Sequence, residues 1–191
     1  PAFWVLRFTL AGILFLLFND VFKDRRTSIV LANIFTYIFI TIIVAVANGF
    51  GHDLDAMLKA ITPETKLIFI ANPNNPTGTF IPEDKIKKFI DKVPKDVVVV
   101  LDEAYSEYVP QEEKVDSKAL VLKHDNLAVL KTFSKAYGLA NLRIGYCVAQ
   151  PKLTKALNKG VVRPPFNTSA VAQKAAIAAL NDKQFLDETV A

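Results

Sequence analysis

Three short apolar runs most constrain what this chain can fold into: "KLIFIAN" (66–72), "DVVVVLDEAY" (96–105) and "NLAVLKTFS" (126–134). None alternates apolar with polar residues, and each stops abruptly at polar ones. Strands of this kind are buried on both faces, as in a mainly parallel sheet. Between the first two lies "PEDKIKKFIDKV", which sets Ile86, Phe89, Ile90 and Val93 on one helical face and Pro82 at a favoured first position. Strand, helix, strand is the right-handed crossover of an α/β fold. Upstream, "DLDAMLKAI" reads as a helix capped by Asp53, with Leu54, Met57, Leu58 and Ile61 as its apolar stripe. Downstream, "RIGYCVAQ" is expected to be a further strand and "PKLTKALNK" a short helix. "TSAVAQKAAIAAL" is expected to be a helix whose Ala172, Ala175, Ala176 and Ala179 pack closely on a sheet or partner.

Composition closes off several functions. With 51% hydrophobic and 22% charged residues over 191 positions, the chain suits one globular domain with a sizeable core. The net charge of +4 comes from scattered lysines, not from a basic stripe interleaved with aromatics, which argues against nucleic acid as a partner. His52 and His124 stand far apart without Cys or His at ligand spacing, so no metal site is expected. The single cysteine, Cys147, is expected to be a small core residue in a reducing compartment. The chain opens on Pro1 with no basic leader or small-residue cleavage site, and is read as lacking its natural start.

Residues 1–50 differ from everything after them. Positions 27–51 carry no charged side chain, and 28–47 alone reach the ~20 apolar residues that span a bilayer. A foreign or mistranslated stretch is the first reading, ahead of a buried insertion and of a membrane span. The expected organisation is therefore 1–50 as an atypical apolar segment and 51–191 as part of one α/β domain.

In a parallel sheet with right-handed crossovers all carboxyl ends share one edge, where ligands bind. "NPNNPTG" (72–78) follows the first run, Asp102 and Tyr105 end the second, and Thr132, Ser134 and Lys135 follow the third, with Arg143 a short loop away. Singly, each is an ordinary turn, cap or solvated charge. Together they suit a carbonyl cofactor that carries a phosphate and a ring nitrogen. A partly desolvated lysine amine forms a Schiff base. A buried aspartate keeps a pyridine nitrogen protonated. Tyrosine and asparagine bond a phenolic oxygen, and hydroxyls with an arginine fork hold a phosphate.

These motifs resemble those of the fold-type I, pyridoxal-phosphate-dependent aminotransferases of class I/II, and within them the histidinol-phosphate aminotransferase branch. The branch likeness rests on "GHDLDAMLKAIT", "SKAYGLANLRIGY" and "VRPPFNTSAVAQKAAIAAL". The resemblance implies a three-layer α/β sandwich, of which this chain holds part of the large, cofactor-binding domain. It assigns Asn75 and Tyr105 to the cofactor's ring oxygen, Asp102 to its ring nitrogen, and Thr132, Ser134 and Arg143 to its phosphate. Lys135 becomes the Schiff-base lysine and proton carrier, and Phe3, in "PAF", a ring that stacks on the cofactor. The implied reaction is transamination between histidinol phosphate and 2-oxoglutarate. An aromatic aminotransferase or an amino-acid-phosphate decarboxylase of the same fold would share these residues, and an inactive membrane-associated fragment is the rival of another class. The resemblance further implies a cytoplasmic homodimer with small-molecule amino donor and keto acid as ligands. It also implies an N-terminal arm, an early phosphate loop and a small C-terminal domain beyond this segment, which alone would be inactive.

Overall fold

The computed structural model describes residues 42–43, 49–158 and 168–191. Phe3 and the greater part of the apolar segment lie outside the described residues.

Five strands form one sheet in the order β1 (Ile42–Ile43), β2 (Leu67–Ala71), β3 (Val98–Asp102), β4 (Leu127–Thr132) and β5 (Gly145–Ala149). The first three pairings are parallel and the last is antiparallel. All three apolar runs are thus strands of a mainly parallel sheet, and "RIGYCVAQ" supplies the antiparallel one. Helices α1 (Leu54–Lys59), α2 (Glu83–Lys92) and α3 (Ser117–Lys123) join them, followed by α4 (Pro151–Asn158), α5 (Ala170–Asn181) and α6 (Lys183–Val190).

Side-chain alternation along each strand decides what the core contains. Ile68 and Ile70, Val99 and Leu101, and Leu127 and Val129 share one face and pack with Met57 of α1, Ile86, Phe89 and Ile90 of α2, and Leu120 and Val121 of α3. The expected stripes are the ones used: Leu54, Leu58 and Ile61 lie against this core, and Val93 is inside it. On the other face Leu67, Phe69 and Val98 are half-buried. A second cluster joins Phe133 and Ile144 to Ala172 and Ala176 of α5, with Ala179 beside them. The alanine stripe therefore packs on the loop between β4 and β5 and not on the sheet, and Ala175 is only half-buried.

Caps hold the helix starts. The Asp53 carboxylate accepts the Ala56 N–H at 2.9 Å, Asp116 accepts that of Ala119 at 2.9 Å, and the Ser169 hydroxyl accepts that of Ala172 at 3.1 Å. Pro82 is the cap of α2, one position before the expected first turn. Cys147 corrects an expectation. It is an exposed free thiol, because β5 is an edge strand with one neighbour among the described residues, and its apolar neighbours Tyr146 and Val148 are exposed too.

Candidate active site

Strands β2 and β3 end level, Ala71 pairing with Asp102, and β4 leaves the same edge after running on from Leu130, the partner of Asp102, to Thr132. The three loops that leave this edge carry nearly all the residues singled out above.

The first loop is closed by Asn72. Buried beyond the end of β2, it donates from Nδ2 to the Ile81 carbonyl (3.0 Å) and accepts the Ile81 N–H on Oδ1 (2.7 Å). Inside that clamp the Asn74 N–H bonds Thr79 O (2.9 Å) and the Gly78 N–H bonds Asn74 O (2.8 Å), with Gly78 at φ +70°. Only glycine takes this backbone region without strain. Asn75 is left at the exposed tip, where Nδ2 donates to the Tyr105 hydroxyl at 3.2 Å. From the amino-terminal side, His52 accepts the Ala71 N–H on Nε2 at 3.2 Å, steadying the last residue of β2.

The second loop begins at Asp102, whose Oδ1 accepts the Ala104 N–H (3.0 Å). This local bond turns the chain out of β3 and into a 3₁₀ turn at Ser106–Tyr108, with Tyr105 at its start. Oδ2 of Asp102 has no hydrogen bond among the described residues. The third loop begins with the Thr132 hydroxyl accepting the Ser134 N–H (3.0 Å). It then brings the Lys135 ammonium over the Tyr105 ring, 5.0 Å from its centroid. Alternation places Asp102 and Thr132 on the same face of the sheet, opposite Leu101 and Lys131.

Three of the expected residues, Asn75, Tyr105 and Lys135, therefore meet from three different strand ends, with Asp102 at the end of the middle strand. Arg143 is tied to its own loop. Its guanidinium donates from Nη1 to Ala140 O in its own loop (2.8 Å), and its backbone is left-handed at φ 50°, ψ 50°. A cleft of about 420 Å³ opens beside the Asn75–Tyr105 pair, between the first loop and Tyr108, Pro110 and Glu113. That volume is within the range of small-molecule sites.

On the covered side of the sheet stands a polar group that sequence reasoning missed. Lys131 Nζ lies 2.8 Å from Glu103 Oε2, 2.5 Å from the Ser106 hydroxyl and 3.9 Å from Glu107 Oε1. Glu103 also accepts the Ser117 hydroxyl at the start of α3. Burial, then the Glu107 charge, raises the nearby Tyr137 hydroxyl above its ordinary pKa and keeps it protonated. The available signal was a lysine near the end of an apolar strand, one residue past the partner of Asp102 of "DEAY". Spacing along one chain does not reveal that pairing.

The chain matches the family model for aminotransferase class I and II over residues 26–191. It is similar to histidinol-phosphate aminotransferase 1 of Cupriavidus pinatubonensis, 59% identical over 147 residues that cover 77% of this chain and 39% of that protein. It is also similar to histidinol-phosphate aminotransferase 2 of Haemophilus influenzae, 51% identical over 142 residues covering 74% of this chain and 38% of the relative. Among solved structures it resembles histidinol-phosphate aminotransferase from Sinorhizobium meliloti in complex with pyridoxal-5'-phosphate, with a TM-score of 0.70, 37% identity, and coverage of 77% of this chain and 39% of that one. The chain thus spans 39% of the length of the first of these relatives. On the motif-bearing strand ends and on these matches together, the chain belongs to the class I and II aminotransferases.

Proposed function

We propose that this segment forms the cofactor edge of a pyridoxal-phosphate-dependent transaminase that exchanges an amino group between histidinol phosphate and 2-oxoglutarate in histidine biosynthesis. The observation that carries the reading is the convergence of Lys135, Tyr105 and Asn75 beside Asp102. The donor set fits the cofactor: an amine, two groups that bond a phenolic oxygen, and a carboxylate with one oxygen unengaged. When bound, pyridoxal phosphate supplies a carbonyl for amine capture and a ring that accepts electron density from the donor's α-carbon.

The family resemblance supplies the roles, and the meeting of Lys135, Tyr105 and Asn75 supports them. Lys135 Nζ would be the amine that holds the cofactor and the group that carries a proton in the exchange. The Tyr105 hydroxyl and Asn75 amide orient the ring through its oxygen. Asp102 is placed to keep a ring nitrogen protonated, since a half-buried carboxylate favours a partner cation. The Thr132 and Ser134 hydroxyls and Arg143 form the phosphate end, Arg143 with the guanidinium donors that the Ala140 O bond leaves over. Phe3 is proposed as the stacking ring. A homodimer, a cytoplasmic location, and residues 51–191 as part of the large domain belong to the same proposal, and their support is the family resemblance.

Borohydride reduction of the full-length protein with pyridoxal phosphate, followed by peptide mapping, tests this reading. The label is expected on the peptide containing Lys135 and is expected to vanish in Lys135→Ala. Labelling spread over surface lysines would overturn it. Kinetics with phosphorylated and unphosphorylated amino donors then read the substrate, and equal efficiency with both would exclude histidinol phosphate as the specific donor.

A further inference from the structure

We propose that Glu103 and Lys131, on the side of the sheet away from Asp102, are positioning residues whose ion pair sets Tyr105 and Asp102 against the loop that carries Lys135. The inference rests on the cofactor reading above. The ladder between β3 and β4 ends where the Glu103 N–H bonds Leu130 O at 3.0 Å. Beyond that bond the two chains diverge, one into the tyrosine turn and the other into the lysine loop. The sheet alone therefore does not fix the distance between Tyr105 and Lys135.

Lys131 restores the connection. Its ammonium holds Glu103 (2.8 Å) and Ser106 (2.5 Å), and so grips the chain on both sides of Tyr105. Glu103 is anchored in turn by Ser117 of α3. Each member is also joined by one peptide bond to a residue of the opposite face: Glu103 to Asp102, and Lys131 to Thr132. A shift of the pair moves both faces of the edge together.

Energetics point to placement rather than stability. The Glu103 side chain is 3% exposed and that of Lys131 21%. The desolvation cost of such a buried pair offsets most of its attraction, so replacing both partners by neutral groups changes stability little. Short charge-assisted bonds do impose a narrow geometry, and a site of this kind depends on supporting residues to hold it within a fraction of an ångström. The other titratable groups near the pair are Glu107, Lys114, Tyr137 and Tyr146.

The test compares the unsubstituted full-length protein with the double variant Glu103→Gln/Lys131→Met, which removes both charges of the pair but takes the cation from Glu107, and with Lys131→Arg and Ser106→Ala. Three quantities are read: urea stability, pyridoxal phosphate affinity by absorbance titration, and the pH midpoint of the bound cofactor's absorbance band. The double variant is expected to lose some stability through Glu107 yet stay folded, to bind cofactor roughly 10- to 100-fold more weakly, and to shift the midpoint. Lys131→Arg is expected to restore affinity and midpoint. Ser106→Ala, which disturbs folding least, is expected to weaken binding severalfold at unchanged stability. Unchanged affinity and midpoint in a folded double variant, or in Ser106→Ala should the double variant not fold, would overturn the proposal. If the unsubstituted protein takes up no cofactor, or Lys135→Ala takes it up identically, the cofactor reading itself fails and this inference fails with it.

Discussion

Arg143 shows how a single residue separates backbone from side-chain effects. Its left-handed backbone (φ 50°) costs a non-glycine residue about 1–2 kcal/mol. Arg143→Gly relieves that strain but adds about 0.4–1 kcal/mol of unfolded-chain entropy. The two nearly cancel, so urea denaturation of Arg143→Gly is expected to show a stability within about 1 kcal/mol of the parent. Cofactor titration of the same variant is expected to show weakened binding, because the proposed role of Arg143 is a charge-assisted bond to the phosphate. The two histidines make a prediction about pH. Burial lowers the pKa of His52 below its ordinary 6.5, and Nε2 can accept the Ala71 N–H only while unprotonated. Burial and then the Lys95 charge lower that of His124, with Asp91 at 3.5 Å pulling the other way. For both, the unfolded chain binds more protons in the window below 6.5. Their contribution to stability is complete above that pH and is lost as the pH falls toward the lowered folded values. Urea midpoints measured from pH 7.5 down to 5 are expected to fall, with a shallower slope in His124→Leu; an identical slope would show that other groups dominate.

At the scale of elements, β5 depends on close approach. A Cβ on Gly145 would stand 2.6 Å from the Lys131 carbonyl oxygen, in backbone that has no soft end to yield. Gly145→Ala is therefore expected to cost about 1–3 kcal/mol by overpacking. It is also expected to loosen the Thr132–Gly145 pairing on which the third loop is mounted. Thermal unfolding reads the first effect, and hydrogen exchange at β5 the second. Helix α1 is short, and its stability comes from the Asp53 cap and from Met57 in the core, not from its length. The surface ion pairs Lys66–Asp96 and Lys88–Asp84, both exposed, each contribute about 0–1 kcal/mol.

For the whole molecule the decisive contacts lie between the covered face of the sheet and α2. Phe89, 2% exposed among Ile68, Ile70 and Ile90, is the largest fully buried side chain among the described residues. Phe89→Ala is expected to cost about 3–5 kcal/mol, enough to threaten folding of a domain with typical marginal stability, as calorimetry of the full-length protein would show. Much of this architecture was legible in the chain. Unbroken apolar runs such as 97–101 have one stable use, and the period of Ile86, Phe89, Ile90 and Val93 has another, because both patterns depend only on neighbours in sequence. The candidate site was legible for a related reason: residues at strand ends are brought to one edge by topology, so Asn75, Tyr105 and Lys135 could be placed together before any coordinates. The sequence could not show which groups meet across strands. The Glu103–Lys131 pair, the bond from β2 to His52, the exposure of Cys147 and the bond of Arg143 to Ala140 depend on register, on which strand lies at the edge, and on loop dihedrals. Strand identity and helix faces were determined by the sequence alone, through local periodicity. The supporting shell of the site was decided only by the tertiary structure, because its partners are far apart in the chain and are joined by packing.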